Sequence, residues 1–541
     1  MATAFLNRRR FLRTAAALPL WLRAGAADVE RNPAPPRVLY SNDTTNILSC
    51  VSPFRDRKDG FTDAHLRASI SEAQGVDIHL LQPGLGWIPW WNSRIYSPVD
   101  HYVKFLGEYG ATQLSPIAKY LLAGGDMVRT LVEHCRRLGV QPFVSYRLND
   151  GHHVRNLAQA LKRGRPTPDM SRHYWENYPR YRLGPDAADW DQGVFDWTIP
   201  EVREHKAAFI RELCEDYAIA GLELDFLRHW NRFPRERTTV AQRRAITTEF
   251  VRGIREMLDR TQRGGARRTL CLRVPARLDI HDEQGIDLPA LVAAGVDFVT
   301  LSWSYFTVQD DSVRRVKAAI PGTPMYVEMT HTTLTGRALA GSGTQPYLRT
   351  TDAQFHTTAH LAYEHGAAGV SLFNFQYYRE HSLPALGPFT EPPFPVLPGL
   401  KDRAFVARQP HWYFLTAARK DPVLGDQPLP AMLTRGQPHT FHLAMALTPE
   451  HRREGLLRVR ADASIADRDL AVRCNGAALE KTAHVAKPLP HPYDAFLGAA
   501  EEFQCFRCPA SGVVSGNNRV DVEVKKGRGV RLIYLEAIFP V

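Results

Sequence analysis

Eight short apolar runs, separated mostly by stretches of helical periodicity, constrain this chain more than any other feature. They read as strands at 37–40, 76–81, 141–146, 220–226, 270–274, 296–301, 325–330 and 369–373. Helix patterns at 61–75, 127–139, 200–217, 241–258, 288–295, 313–320 and 351–366 fall between them. Short apolar strands alternating with helices belong to a parallel sheet covered on its faces by helices. Eight such strands are the count for closure, so residues 37–382 are predicted to form a (β/α)8 TIM barrel of the α/β class. The rival, an open doubly wound sheet, wants a Gly-x-Gly-x-x-Gly turn directly after an early strand, and none is present. The Gly341-Ser-Gly343 run falls in a later loop.

Beyond 382 the texture changes. Pro384, Pro388, Pro392, Pro393, Pro395 and Pro398 crowd a connector over 383–415, which should be neither regular helix nor central strand. From 420 to 541, short alternating runs at 440–443, 456–460, 470–473, 519–524 and 530–538 replace the helical period. Turn residues Asn475-Gly476 and Asn517-Asn518 punctuate them, which predicts an all-β sandwich as an accessory domain. At 541 residues the chain is long enough for more than one core.

The first 27 residues are set apart from both domains. Asn7-Arg8-Arg9-Arg10-Phe11-Leu12-Arg13, a short apolar stretch at 14–22 and Ala24-Gly25-Ala26 resemble a twin-arginine export signal with a small-residue cleavage site. The expectation is a bacterial protein exported to the periplasm or beyond. That leader holds five arginines and no acid, so the formal charge of +11 becomes +6 without it. So mild a surplus on a chain of this size gives no reason to expect nucleic acid as a partner. No later stretch of about 18 apolar residues predicts a membrane span. Seven scattered cysteines do not make a disulfide scaffold. Cys505-Phe-Arg-Cys508 has C-x-x-C spacing without a second pair, so a local disulfide or plain thiols are favoured over zinc.

The densest chemistry lies in Gly221-Leu-Glu-Leu-Asp-Phe-Leu-Arg228. On a strand, residues two apart share a face, so Glu223 and Asp225 point together. Barrel chemistry sits at the carboxyl ends of strands, which makes Asp225 the first catalytic candidate. Glu328, in Tyr326-Val-Glu-Met329, is its leading partner, with Glu223 and Asp150 behind. Two carboxyls facing one pocket are what glycosidic cleavage requires: an acid for the leaving oxygen, and a carboxylate to attack or activate water. The structural alternative is a buried acid paired with Arg147, Arg228 or Arg273. Asn149, Asp150, His152 and His153 follow the third strand beside Arg147. They suit sugar hydroxyls or a loop held by Asx bonds better than a metal, because adjacent histidines are poor ligand spacing. Trp87, Trp90, Trp91, Trp303, Tyr305 and Tyr377 also fall after strand ends, where aromatic rings pack on sugar faces or on the barrel rim. Arg228, His331, Asn374 and Gln376 complete the candidate binding set.

The fourth strand, with the helix opening Ile199-Pro200-Glu201-Val202-Arg203, resembles bacterial glycoside-hydrolase-like barrel families. Their fourth strand reads Asp-Gly-Ile-x-Leu-Asp followed by an aromatic and Arg, after a helix beginning Pro-x-Val-Arg. The resemblance covers residues 37–380 and implies a TIM barrel, an exported carbohydrate-active protein and Asp225 as a catalytic residue. This chain carries Ala220 where those families carry Asp, and the additional acid Glu223. The expected activity is hydrolysis of glycosidic bonds in a poly- or oligosaccharide, with no cofactor and no metal. The alternatives are a non-catalytic carbohydrate-binding barrel and a polysaccharide lyase, in which His or Tyr removes a proton beside a uronate carboxylate held by cations.

Overall fold

The computed structural model describes residues 37–50, 52–56, 60–262, 266–334, 347–379, 391–415, 425, 427–451, 453–490 and 498–541. The expected export leader at 1–27, the Gly341-Ser-Gly343 run, Pro384 and Pro388 lie outside the described residues. Strands β1 (Val38–Asp43), β2 (Ile78–Gln82), β3 (Gln141–Arg147), β4 (Gly221–Asp225), β5 (Thr269–Pro275), β6 (Phe298–Ser302), β7 (Met325–Thr330) and β8 (Gly369–Phe373) close into a barrel. Each strand is parallel to its neighbours in sequence, and β8 returns to β1 with Val370 beside Val38. This is the predicted fold. The eight strands lie where the apolar runs put them, except that β1 continues three residues past Tyr40 to Asp43.

The two faces of each strand do different work. On β4, Leu222 and Leu224 join Phe209, Ile210 and Leu213 of the helix Pro200–Asp216 in the large core between barrel and helices. Gly221, Glu223 and Asp225, alternating with them, face the axis. The floor of the axis is apolar and is filled by Leu39, Ile78, Leu80, Phe143, Cys271, Phe298 and Tyr326. Glycine is required at 221, because a Cβ there would stand 2.4 Å from the Phe143 ring. Above this floor the inward positions turn polar, beginning with Ser145 and Glu223 side by side on β3 and β4.

The C-terminal domain is an antiparallel sandwich. One sheet orders His411–Leu415, Val530–Phe539, Gly455–Ala461, Phe503–Cys508 and Lys481–Thr482, with Ala431–Leu433 also paired to Val530–Phe539. The other orders His439–Met445, Gly516–Lys526, Asp469–Cys474 and Ala477–Ala478. Leu457, Val459 and Phe539 of the first meet Phe441, Val472 and Val520 of the second in one core. Two expectations are corrected. The domain starts before 420, since His411–Leu415 is already one of its strands, and the connector contains a 3-10 helix, Phe394–Lys401, and a short α-helix, Arg403–Ala407. Of the two outcomes expected for Cys505 and Cys508, plain thiols hold and a local disulfide does not. Three apart on a strand they face opposite sides, and the Cys508 thiol meets Cys474 of the facing sheet. Gln309, after β6, ties the domains: its amide donates to the Trp412 carbonyl at 3.1 Å and accepts from the Phe414 amide at 3.0 Å. No helix among the described residues is long and apolar enough to cross a membrane.

Candidate active site

The polar layer above the barrel floor is a chain of buried ion pairs. Arg147 donates to the Asp43 carboxylate at 2.8 Å, and also lies 3.6 Å from Asp150 and 3.9 Å from Asp225. Arg273, beside Asp225 in the register of β4 and β5, donates to Asp225 Oδ2 at 3.1 Å. Its other edge is a fork on Glu328, with Nε to Oε2 at 2.8 Å and Nη2 to Oε1 at 2.6 Å. The order Asp43–Arg147–Asp225–Arg273–Glu328 thus crosses the barrel from β1 to β7. Bidentate pairing of this kind is the strong form of a charge-assisted hydrogen bond. It offsets a desolvation cost of several kcal/mol per buried ion.

Within this layer the four predicted acids have different surroundings. Asp225 Oδ1 accepts from the Leu227 and Arg228 amides at 2.9 and 3.1 Å. Both oxygens of Glu328 are committed to Arg273, Oε1 takes the Ser302 hydroxyl at 2.5 Å as well, and the side chain has no exposure. Glu223 lies one pleat below Asp225 and accepts from Ser145 Oγ at 2.7 Å. Burial pushes its carboxyl up to about 8 against the pull of Arg273, with the Asp225 and Glu328 charges adding to the rise, so it carries its proton at neutral pH. Burial also works against ionisation of Asp43, yet Arg147 brings it down to about 2. Asp150 is likewise buried but is held well below the carboxylate range by His152 and Arg147.

Arg228, His152, Tyr305 and Tyr377 are among the partly exposed groups around this layer. Arg228 stacks on Tyr305, its guanidinium carbon 4.8 Å from the ring centre, and donates to His152 Nε2 at 2.9 Å. An arginine can only donate, so His152 Nε2 is the acceptor and Nδ1–H donates to Asp150 Oδ1 at 2.7 Å. His331 stacks on Tyr377 at 5.2 Å. The backbone is strained around this rim. Trp87, His229, Ser304 and Asn374, none of them glycine, hold positive φ of 70°, 52°, 64° and 64° in the loops after β2, β4, β6 and β8. Such conformations cost about 1 kcal/mol or more each and cluster where side chains must be placed against their preference.

Several predicted binding residues lie elsewhere. Trp90 is buried with Ile88, Tyr102 and Phe105, and Trp91 is buried on Tyr146 and Phe209 with its indole N–H on Glu212 at 2.8 Å. Trp87 packs on Phe195 beneath the Lys206 ammonium and donates to the Asp150 carbonyl at 3.1 Å. Trp303 is 5 % exposed, and what it shows lines a cleft between barrel and sandwich with Arg277, Leu415 and His442. The tryptophan platform is therefore corrected: all four rings are wall. Asn149 pins two loops by donating to the carbonyls of Phe195 and Asn231 at 3.0 and 2.9 Å. Gln376 accepts from Tyr40 on the outer face of β1, and Asn374 accepts from Asn46 at 2.9 Å. Sequence reasoning missed Asp43, Ser145 and Ser302, and named Arg273 only as an ion-pair alternative. An acid closing β1 ahead of Thr44-Thr45, a pattern typical of a helix cap, was the available signal for Asp43.

Asp150, His152 and His229 place one ligand atom each within 4.8 Å of one another, the spacing of a cation site. One ring lone pair of each histidine is already engaged: Gly151 N–H donates to His229 Nδ1 at 2.8 Å, and Arg228 donates to His152 Nε2. With Arg147 and Arg228 alongside, the trio fits a hydrogen-bonded relay better than a divalent cation.

No known protein family and no curated protein matches the sequence. Solved structures with a similar fold include a class V chitinase from Pseudomonas fluorescens, 14% identical over 67% of this chain and 98% of that one, with a TM-score of 0.33. An alpha-L-fucosidase from Paenibacillus thiaminolyticus is 13% identical over 91% and 96% of the two chains, TM-score 0.35. An alpha-galactosidase from Geobacillus stearothermophilus is 12% identical over 94% of this chain and 56% of that one, TM-score 0.37. Likeness this slight assigns no residue role and no substrate.

Proposed function

We propose that the chain is an exported enzyme that hydrolyses glycosidic bonds in a poly- or oligosaccharide, with Asp225 as the working carboxylate. The observation that carries this reading is the convergence of acids from β1, β4, β7 and the β3 loop on one charged layer at the carboxyl end of the barrel. A buried array of carboxylates contributes less to stability than apolar packing of the same volume, which favours a use for it. Arg273 orients Asp225, and Glu328, with both oxygens occupied, orients Arg273. His152, oriented by Asp150, takes a proton from the attacking water at Nε2 and returns it to the leaving oxygen. The resemblance of residues 1–27 to a twin-arginine signal supports a periplasmic or extracellular polysaccharide as substrate.

A second reading, elimination from a uronic acid, is favoured by the rim itself, where the partly exposed groups include histidine, tyrosine and arginine. One experiment separates them: digestion of a polysaccharide panel by the wild type and Asp225→Asn. Hydrolysis releases reducing ends without ultraviolet absorbance, and Asp225→Asn should lose more than about a hundredfold in kcat with an unchanged melting curve. Unsaturated, absorbing products would sink hydrolysis in favour of elimination. Sugar binding without turnover by either form would leave a carbohydrate-binding barrel.

A further inference from the structure

Three arginines belong to the mouth, and two of them are ion-paired with carboxylates, although Nε and Nη1 of Arg147 make no hydrogen bond of their own. Arg147 serves Asp43, Asp150 and Asp225, and Arg273 serves Asp225 and Glu328. Arg228 is different. Among the described residues it makes no ion pair. One Nη2–H goes to a neutral acceptor, His152, and its Nε–H is buried without a hydrogen-bond partner. An unpaired buried donor on a charged group costs on the order of 1–3 kcal/mol, so such a group persists where something else supplies the partner. The guanidinium is nevertheless held in place, over the Tyr305 ring and hydrogen-bonded to His152 of the β3 loop. The positive-φ residues His229 and Ser304 directly follow Arg228 and precede Tyr305, so two of the four strained rim positions flank this one stack.

We infer that Arg228 is the carboxylate-binding, specificity-determining residue of the site, and that the sugar bound at the mouth is a uronic acid. This rests on the reading of the barrel mouth as a carbohydrate site, and it holds for hydrolysis and elimination alike. A planar C6 carboxylate matches the guanidinium fork and satisfies the Nε–H that has no hydrogen-bond partner among the described residues. The C6 hydroxyl of a neutral hexose offers one acceptor in place of two and no charge. Occupation of Arg228 by the ligand also draws the guanidinium from His152 Nε2, leaving that lone pair available on an imidazole already oriented by Asp150.

The test is a glycan array with matched uronic-acid, sulfated and neutral oligosaccharides, followed by calorimetry on the strongest binder. The wild type should retain uronic-acid glycans, and Arg228→Gln should weaken them by about tenfold to a hundredfold, with Arg228→Lys in between, because lysine keeps the charge and loses the fork. Carboxyl reduction of the bound glycan, offered to the unmodified protein, should cost a similar factor and needs no variant. Equal binding of the reduced glycan, or retention of neutral or sulfated glycans untouched by Arg228→Gln, overturns the inference and leaves the hydrolase reading standing. Retention of no glycan of any kind overturns both.

Discussion

Glu223 offers the sharpest physical test of the charged layer. Its carboxyl belongs at 4.5 in an unfolded chain and is pushed up to about 8 in the folded one. The proton is therefore bound more tightly by the native state. The stability that this preference contributes is complete below about pH 4.5 and is lost steadily as pH rises through 8. Moving a carboxyl over that interval corresponds to roughly 5 kcal/mol, a large share of the 5–15 kcal/mol that holds a typical domain together. Glu223→Gln keeps an acceptor for Ser145 Oγ and removes the titration. Urea unfolding followed by tryptophan fluorescence, from pH 5 to pH 9, should show the variant gaining on the wild type by roughly 4 kcal/mol across the range. Other groups titrate in the same window but do so in both proteins, so the difference isolates this one. Parallel stability profiles would refute the reasoning, because they would mean that Glu223 ionises without penalty, through water or a rearranged Arg273.

Other outcomes follow from the same geometry. Glu328→Gln halves the fork on Arg273 and leaves that guanidinium undercompensated. The melting point should fall by an amount equivalent to about 3 kcal/mol, and kcat should drop while KM for the sugar moves little. Trp90→Ala should destabilise the fold by about 3–5 kcal/mol without a selective loss of sugar affinity, checked by calorimetry on the folded fraction; a pure affinity loss would return Trp90 to the mouth. Prolonged dialysis against a chelator should leave activity and melting temperature unchanged, since one ring lone pair of each of His152 and His229 is occupied by a protein donor. A melting shift restored by zinc would show that the relay reading of Asp150, His152 and His229 is mistaken.

The barrel was legible because its strands are apolar on the outer face and bounded by Gly, Pro and helix caps, so each announced itself over five or six residues. The inward positions were legible as well where alternation fixed them, and this is how Glu223 and Asp225 were placed together. What a local pattern does not carry is which side of a loop faces the core. Trp87, Trp90 and Trp91 sit in the loop after β2, where a ring that roofs the wall and a ring that greets a ligand have the same neighbours in sequence. The partner of an indole, such as Glu212 for Trp91, lies 121 residues away. The same distance problem hid the role of Arg273. Its forked contact with Glu328 joins β5 to β7 across the axis, and the register of adjacent strands gives no hint of a bond that skips a strand. Asp43 was lost for a simpler reason: β1 was ended at Tyr40, three residues short.

The alternation of acid and arginine from Asp43 to Glu328 also limits how this mouth can change. Neutralising any one member strands a neighbour of opposite sign in a dry environment, so single replacements there act on two strands at once. Viable descendants, natural or designed, must alter the sequence in matched couples, and pairwise mutational scanning should reveal β1, β3, β4, β5 and β7 as one inherited unit while the outer loops drift freely.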